Sequence, residues 1–150
     1  MIGRLLGIDP GEKRIGLAVS DAMGIAAREL QILPRMGDAA DFATLGEIVE
    51  RHKIAGIVVG VPLNPNAPAG IRTQADAVRE WINQLRLAIP LPIAEVSEYL
   101  TSHEARRLAY TQKRKPREPV DDLAARIILQ AFLDAQSYGN ATFPPSETHE

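Results

Sequence analysis

LLGIDPGEKRIGLAVSD, residues 5–21, is the stretch whose reading decides the fold. An apolar run, Leu5 to Ile8, ends on an acid, Asp9. Pro10-Gly11 then turns the chain, and a second apolar run, Ile15 to Val19, ends at Ser20-Asp21. Two short apolar runs around a Pro-Gly turn form a β-hairpin, with Asp9 late on its first strand. A carboxylate on a buried central strand is costly unless something compensates it. A metal ion would do so. A protonated or hydrogen-bonded structural role would too, and an acid before Pro-Gly also suits a simple Asx-type turn.

Working outward, residues 24–33 predict a third strand that closes a meander. Asp38 is the expected N-cap of a helix through His52, with Phe42, Leu45, Ile48 and Val49 at helical spacing. Ile54 to Val61 is a continuous apolar run, as a strand buried on both faces reads. Pro62 to Gly70 is a Pro/Gly/Asn-rich loop. Ile71, Ala75, Val78, Ile82 and Leu85 mark an amphipathic helix, with Trp81 beside the stripe and most simply part of the core. Leu91 to Val96 is another strand, followed by Ser97-Glu98. Thr101 or Ser102 caps a helix through Arg106, Arg107 and Leu108. Thr111 to Pro119 is a basic, proline-containing loop. Val120 to Leu133 is a final helix with a wide apolar face. A meander followed by alternating helices and strands gives an α/β fold: a mixed sheet with helices on both faces.

The bulk numbers fit one domain. At 150 residues the chain is long enough for a full core. Residues 1–138 are expected to form that domain and 139–150 a disordered tail. No apolar stretch has membrane-spanning length, and the N-terminus lacks a signal-peptide layout, so a cytoplasmic protein is expected. Cysteine is absent, which removes disulfides and thiolate chemistry. The net charge of −2 announces no global basic field.

Three acids occupy related places: Asp9 at the end of the first strand, Glu98 at the end of the last, and Asp121 at the start of the last helix. Strand ends and a neighbouring helix N-terminus converge on one edge of a compact α/β sheet. Carboxylates brought together repel unless cations neutralise them. Mg²⁺ suits an all-oxygen site that also takes substrate phosphates. Two such ions about 3.5–4 Å apart activate a water and stabilise the leaving oxygen in phosphodiester cleavage. The plainer readings are a solvated loop residue for Glu98 and a dipole-favoured acid for Asp121. Asp122 lies roughly 100° around the helix from its neighbour, so one of the pair faces the site.

Six of the chain's seventeen basic residues, Arg106, Arg107, Lys113, Arg114, Lys115 and Arg117, fall just before Asp121. A charge run is ordinarily a solvated loop, but this placement favours phosphate contacts. Lys13 and Arg14 at the hairpin tip are a second pair. Asn64, after Gly60-Val61-Pro62-Leu63, is either a turn residue or a substrate contact. Few aromatic residues argue against a stacking platform for single strands.

Gly7-Ile8-Asp9-Pro10-Gly11, with Lys13 to Ala18 and Ser20-Asp21, resembles the opening motif of the YqgF/RuvX family. Gly60 to Asn64 and Val120 to Ala125 with Ile128-Leu129-Gln130 resemble it too, so the likeness runs from about residue 5 to residue 134. It implies an RNase H-like fold with a mixed five-stranded sheet, related to resolvases of the RuvC type. It implies a nuclease that processes the precursor of small-subunit (16S) ribosomal RNA. The implied site is Asp9, Glu98 and Asp121 holding Mg²⁺ or Mn²⁺. Lys13 and Arg14 match the family's basic pair, and the candidate nucleic-acid contacts as a whole are Lys13, Arg14, Asn64, Thr101, Arg106, Arg107, Lys113, Arg114 and Lys115. The expected partners are nucleic acid, RNA by preference or structured DNA, and pre-ribosomal particles, for a monomer or homodimer.

One stretch departs. The family has Asp-Glu-Arg-Leu-Thr-Thr where this chain has Ser97-Glu98-Tyr99-Leu100-Thr101-Ser102. An arginine after the glutamate would grip a phosphate bidentately, which Tyr99 does not. This keeps a non-catalytic RNA- or ribosome-associated factor in view, beside a DNA-junction endonuclease. A phosphate-handling domain of the actin and sugar-kinase kind ranks last, because the chain is too short for a two-domain cleft.

Overall fold

Strands β1 (Arg4–Pro10) and β2 (Arg14–Ser20) pair antiparallel, Leu6 opposite Val19 and Pro10 opposite Ile15. This is the expected hairpin. The computed structural model describes residues 3–62, 70, 73–97 and 119–144. β3 (Ala27–Pro34) pairs antiparallel with β2, β4 (Ile54–Val61) parallel with β1, and β5 (Ile93–Ser97) parallel with β4. The order is β3-β2-β1-β4-β5. Helix α1 (Asp38–His52) joins β3 to β4. Helix α2 (Gln74–Ala88) lies between β4 and β5, and α3 (Asp121–Ser137) follows β5 in the chain.

Period-two alternation sorts the central strands onto two faces. Leu6, Ile8, Ile57 and Val59 pack with Leu45 and Ile48 of α1 and Val78, Ile82 and Leu85 of α2. Leu5, Ala18 and Val58 pack with Ala125, Ile128, Leu129 and Phe132 of α3. Helices therefore cover both faces. β4 reads as an unbroken apolar run because both its faces are covered.

Several boundaries differ from expectation, including β5, which spans Ile93–Ser97 where Leu91 to Val96 was expected. β3 starts at Ala27 because the Asp21 carboxylate organises the preceding turn, accepting N–H bonds from Met23, Ile25 and Ala26 at 2.8, 3.1 and 2.8 Å. Asp38 is not the cap of α1. Gly37 takes that place at φ 107°, which only glycine adopts easily, and Asp38 is the first helical residue. Asp41, one turn in, accepts the Met36 N–H at 3.0 Å instead. α3 runs on to Ser137, a turn past its expected end. Beyond it Ala141 and Phe143 lie against the α3 face, with the Phe143 ring 5.0 Å from that of Phe132.

The backbone bonds from Ala26, Ile25 and Met23 hold the Asp21 carboxyl below its ordinary 3.8. A depressed folded-state value contributes stability that is present above 3.8 and lost as pH falls through the folded value. Asp21→Asn is therefore expected to be less stable than wild type at neutral pH, and the gap should close well below pH 3.8. Urea midpoints at the two pH values check this. A gap that ignores pH would locate the effect elsewhere.

Candidate active site

Glycine inside a strand gives the sheet nothing of its own, and usually marks a close backbone approach. Gly16 of β2 has that reason in α3. A Cβ on Gly16 would collide with the backbone carbonyl of Asp121, so the first turn of α3 rests directly on the β2 backbone. Gly16 is also the residue opposite Asp9 in the β1–β2 register. Gly7, two residues before Asp9 and so on the same face, seats the next turns of the helix. A Cβ there would lie 2.7 Å from Leu129 Cβ and 2.9 Å from the Ala125 carbonyl. The helix that begins with Asp121 is thus pressed onto the two strands that meet at Asp9.

The Asp121 carboxylate is fixed at the hairpin turn. Its Oδ2 accepts from Arg14 Nε at 3.0 Å, and a Cβ built on Gly11 would lie 3.5 Å from its Oδ1. Asp122 is differently engaged: its Oδ1 accepts the Leu123 N–H at 2.9 Å. Of the two neighbours, Asp121 is the one at the hairpin. The Arg14 side chain is 44% exposed and that of Asp121 19%. A pair this wet adds no more than about 1 kcal/mol to stability. Its consequence is geometric, since it holds one candidate carboxylate in place. Lys13 stands exposed at the tip, and its carbonyl accepts the Arg35 N–H at 3.0 Å.

The parallel register aligns the carboxyl ends of the central strands. Ile8 faces Val59, Val59 faces Glu95, and Val61 faces Ser97. Ligands of open α/β sheets bind at that end. Asp9 lies there, half-buried. Glu98, Asn64, Thr101, Arg106, Arg107, Lys113, Arg114 and Lys115 lie outside the described residues. Among the described residues no group of three acidic or histidine side chains forms a metal cluster. Asp9 and Asp121 supply carboxylate oxygens only, the donor type that hard divalent cations select.

Two features had no direct reading in the chain. One is the glycine seat; a glycine within a strand pattern is its only signal. The other is a cavity of about 600 Å³ between the hairpin turn, α1 and α2. Trp81 is core, as expected, and also lines this cavity. Its ring packs against Phe42 at 5.5 Å and carries the Arg35 guanidinium 5.6 Å from its centroid.

An antiparallel meander extended by two parallel strands, helices on both faces, and an acid at the end of the central strand together define the RNase H-like architecture. Solved structures share it. Thermus thermophilus RuvC in complex with a Holliday junction substrate matches with TM-score 0.64 at 14% identity, over 95% of this chain and 99% of that one. The yeast mitochondrial Holliday junction resolvase Ydc2 matches with TM-score 0.53 at 12% identity, over 91% and 80%. The chain belongs to the RuvX family, whose model, described as Holliday junction resolvase, matches residues 3–135. Relatives named "Putative pre-16S rRNA nuclease" include one from Moorella thermoacetica, 40% identical over 134 residues, 87% of this chain and 94% of its own. Another from Koribacter versatilis is 41% identical over 135 residues, 88% and 87%.

Proposed function

We propose that this chain is a divalent-metal-dependent nuclease that hydrolyses phosphodiester bonds in the precursor of small-subunit ribosomal RNA. One observation carries the proposal: the Asp121 backbone rests on Gly16, directly opposite Asp9, so two carboxylates come to the carboxyl end of one sheet. Family membership and the names of the relatives support a nuclease and favour RNA. Glu98, one residue beyond Ser97, is the third carboxylate of the proposed site. These three would hold one or two Mg²⁺ or Mn²⁺ ions, which when bound supply an activated water and neutralise the leaving oxygen.

The remaining work falls to the chain's cations. Lys13 and Arg14 flank the proposed site at the hairpin tip, and the 106–115 basic residues follow Glu98 in sequence. In this reading they hold the substrate backbone, which carries no sequence information itself. Among the described residues no helix is long and apolar enough to cross a membrane.

Arg14 has two tasks here: it positions Asp121 and it contacts a phosphate. Arg14→Gln is expected to raise KM roughly tenfold through the lost charge-assisted contact. The salt slope of binding should fall by about one. Thermal stability should barely change, because the ion pair is exposed. An unchanged KM and salt slope would remove Arg14 from the substrate path.

The deciding assay offers structured RNA and a four-way DNA junction side by side, with Mg²⁺, with Mn²⁺ and with chelator. Metal-dependent cleavage of RNA is the expected result. Cleavage of the junction instead would make the protein a resolvase, acting as a symmetric dimer on two matched strands. That second reading is favoured by the family description and by the resolvase folds. Binding without cleavage under any ion would favour a non-catalytic factor and direct attention to Ser97 and Tyr99.

A further inference from the structure

The glycine seats fix how closely α3 approaches the sheet, but a bare strand backbone does not fix how the helix is turned about its own axis. Nor does the apolar packing. Buried apolar residues reach most of the way round α3, with Leu123 and Ala124 in a cluster apart from the one that holds Ala125 and Leu129. Apolar burial is non-directional, so a helix of this kind buries much the same area after a small roll.

Direction comes from a polar row on the side of α3 that meets β3. Arg126, Gln130 and Asp134 recur every four residues, so they stand one above another on one face. Arg126 Nη1 donates to Glu29 Oε1 of β3 at 3.0 Å, and both side chains are half-buried. One turn on, Gln130 uses both ends of its amide. Its Oε1 accepts the Ala27 N–H at 2.8 Å, and its Nε2 donates to the Ile25 carbonyl and to Asp134 Oδ1, each at 3.0 Å. Asp134, an acceptor when ionised, settles which way round the amide lies. The turn gripped in this way is itself stiff, because Asp21 gathers three of its N–H groups. Hydrogen bonds weaken steeply when misaligned, so this row resists roll where apolar contact does not.

Roll matters at the other end of the same helix. Asp122 opens the row, four residues before Arg126, and Asp121 lies roughly 100° from it. A side-chain tip about 5–6 Å from the helix axis travels about 1 Å for a roll of about 10°. We propose that Arg126 and Gln130 are positioning residues. By gripping Glu29 and the Ile25–Ala27 backbone they set the roll of α3, and so keep Asp121, rather than Asp122, at the hairpin. The consequence for catalysis rests on the nuclease reading; the geometry rests on the fold alone.

The Arg14 Nε–H, which donates to Asp121 Oδ2, reports the placement of the first turn without any cleavage. The full chain, labelled with nitrogen-15, is compared as wild type, Gln130→Met, Arg126→Glu, Glu29→Arg, and the exchanged pair Arg126→Glu with Glu29→Arg. Gln130→Met changes no charge and lies nine residues from Asp121, about 13–14 Å along the helix, so a shift at Arg14 is not a local effect. The Arg14 Nε–H signal is expected to move in the three single variants, with the β1 and β4 amides in place, and to return in the exchanged pair. Cleavage, measured below each melting temperature, should fall in kcat by roughly tenfold to a hundredfold, for a displacement of up to about 1 Å. KM should hold, and kcat should recover in the exchanged pair. An unmoved Arg14 signal in Gln130→Met and Arg126→Glu would overturn the proposal. So would a wild-type kcat alongside a lowered melting temperature, the mark of a purely structural role. A raised KM and a flatter salt slope that the exchanged pair does not restore would overturn it too, by making Arg126 a phosphate contact. A wild type that cuts nothing sinks the nuclease reading alone, and the Arg14 signal then decides the positioning by itself.

Discussion

Asp9→Asn is expected to leave the fold in place and, if Asp9 belongs to the proposed site, to remove cleavage with a loss on the order of 10³-fold or more, as when one member of a cooperating catalytic group is deleted. The substitution keeps the shape of the side chain and takes away its charge. Asp9 stands at the end of β1, beyond the fully buried Leu5, Leu6 and Ile8 that anchor the strand, so the sheet does not depend on it for packing. The same variant tests the metal through stability. A ligand that binds only the folded state raises stability by about 2.7 kcal/mol at a hundredfold excess over its Kd. The wild-type melting temperature should therefore climb with Mn²⁺, and that of Asp9→Asn should not. Full activity in the variant, or an equal Mn²⁺ response, would remove Asp9 from the site.

Gly16→Ala should separate activity from stability in the other direction. The added methyl has nowhere to go except into the Asp121 backbone, so α3 must lift at its first turn. Overpacking of this kind costs ~1–3 kcal/mol, several degrees of melting temperature for a domain of this size. Catalysis should fall further than stability does. A displacement of about 1 Å in a positioned group is enough for a hundredfold loss. Gly46→Ala, on α1 with open space around it, is the control. There the change should stabilise by about 0.5–1 kcal/mol, because glycine is a poor helix residue. Wild-type activity in folded Gly16→Ala would show that Asp121 does not need its seat.

The sheet and its helices were readable because each depends on a period or a turn that local sequence carries. The Leu5–Asp21 hairpin, the β4 run and the α3 stripe all announce themselves this way. The misread boundaries depend on single backbone events. Gly37 takes the cap of α1 from Asp38 by virtue of its φ, and Asp21 delays β3 by gathering three N–H groups. At the site, Asp9 and Asp121 were visible as acids at element ends. What set Asp121 apart from Asp122 was its contact with Arg14, and no pattern in the sequence encodes that pairing. The Arg35–Trp81 pair was invisible for the same reason. Neither residue looks unusual in its own stretch of chain.

The seating of α3 on Gly7 and Gly16 also has a consequence in time. Arg14 and Asp121 are 107 residues apart, and α3 is the last described element of the chain. Domains are made from the N-terminus forward and complete their packing only when the closing element has emerged. A nascent chain therefore carries Asp9 through most of its synthesis with no Asp121 to face it. The proposed site, if Asp9 and Asp121 form it, is therefore assembled only when the last described helix has been made.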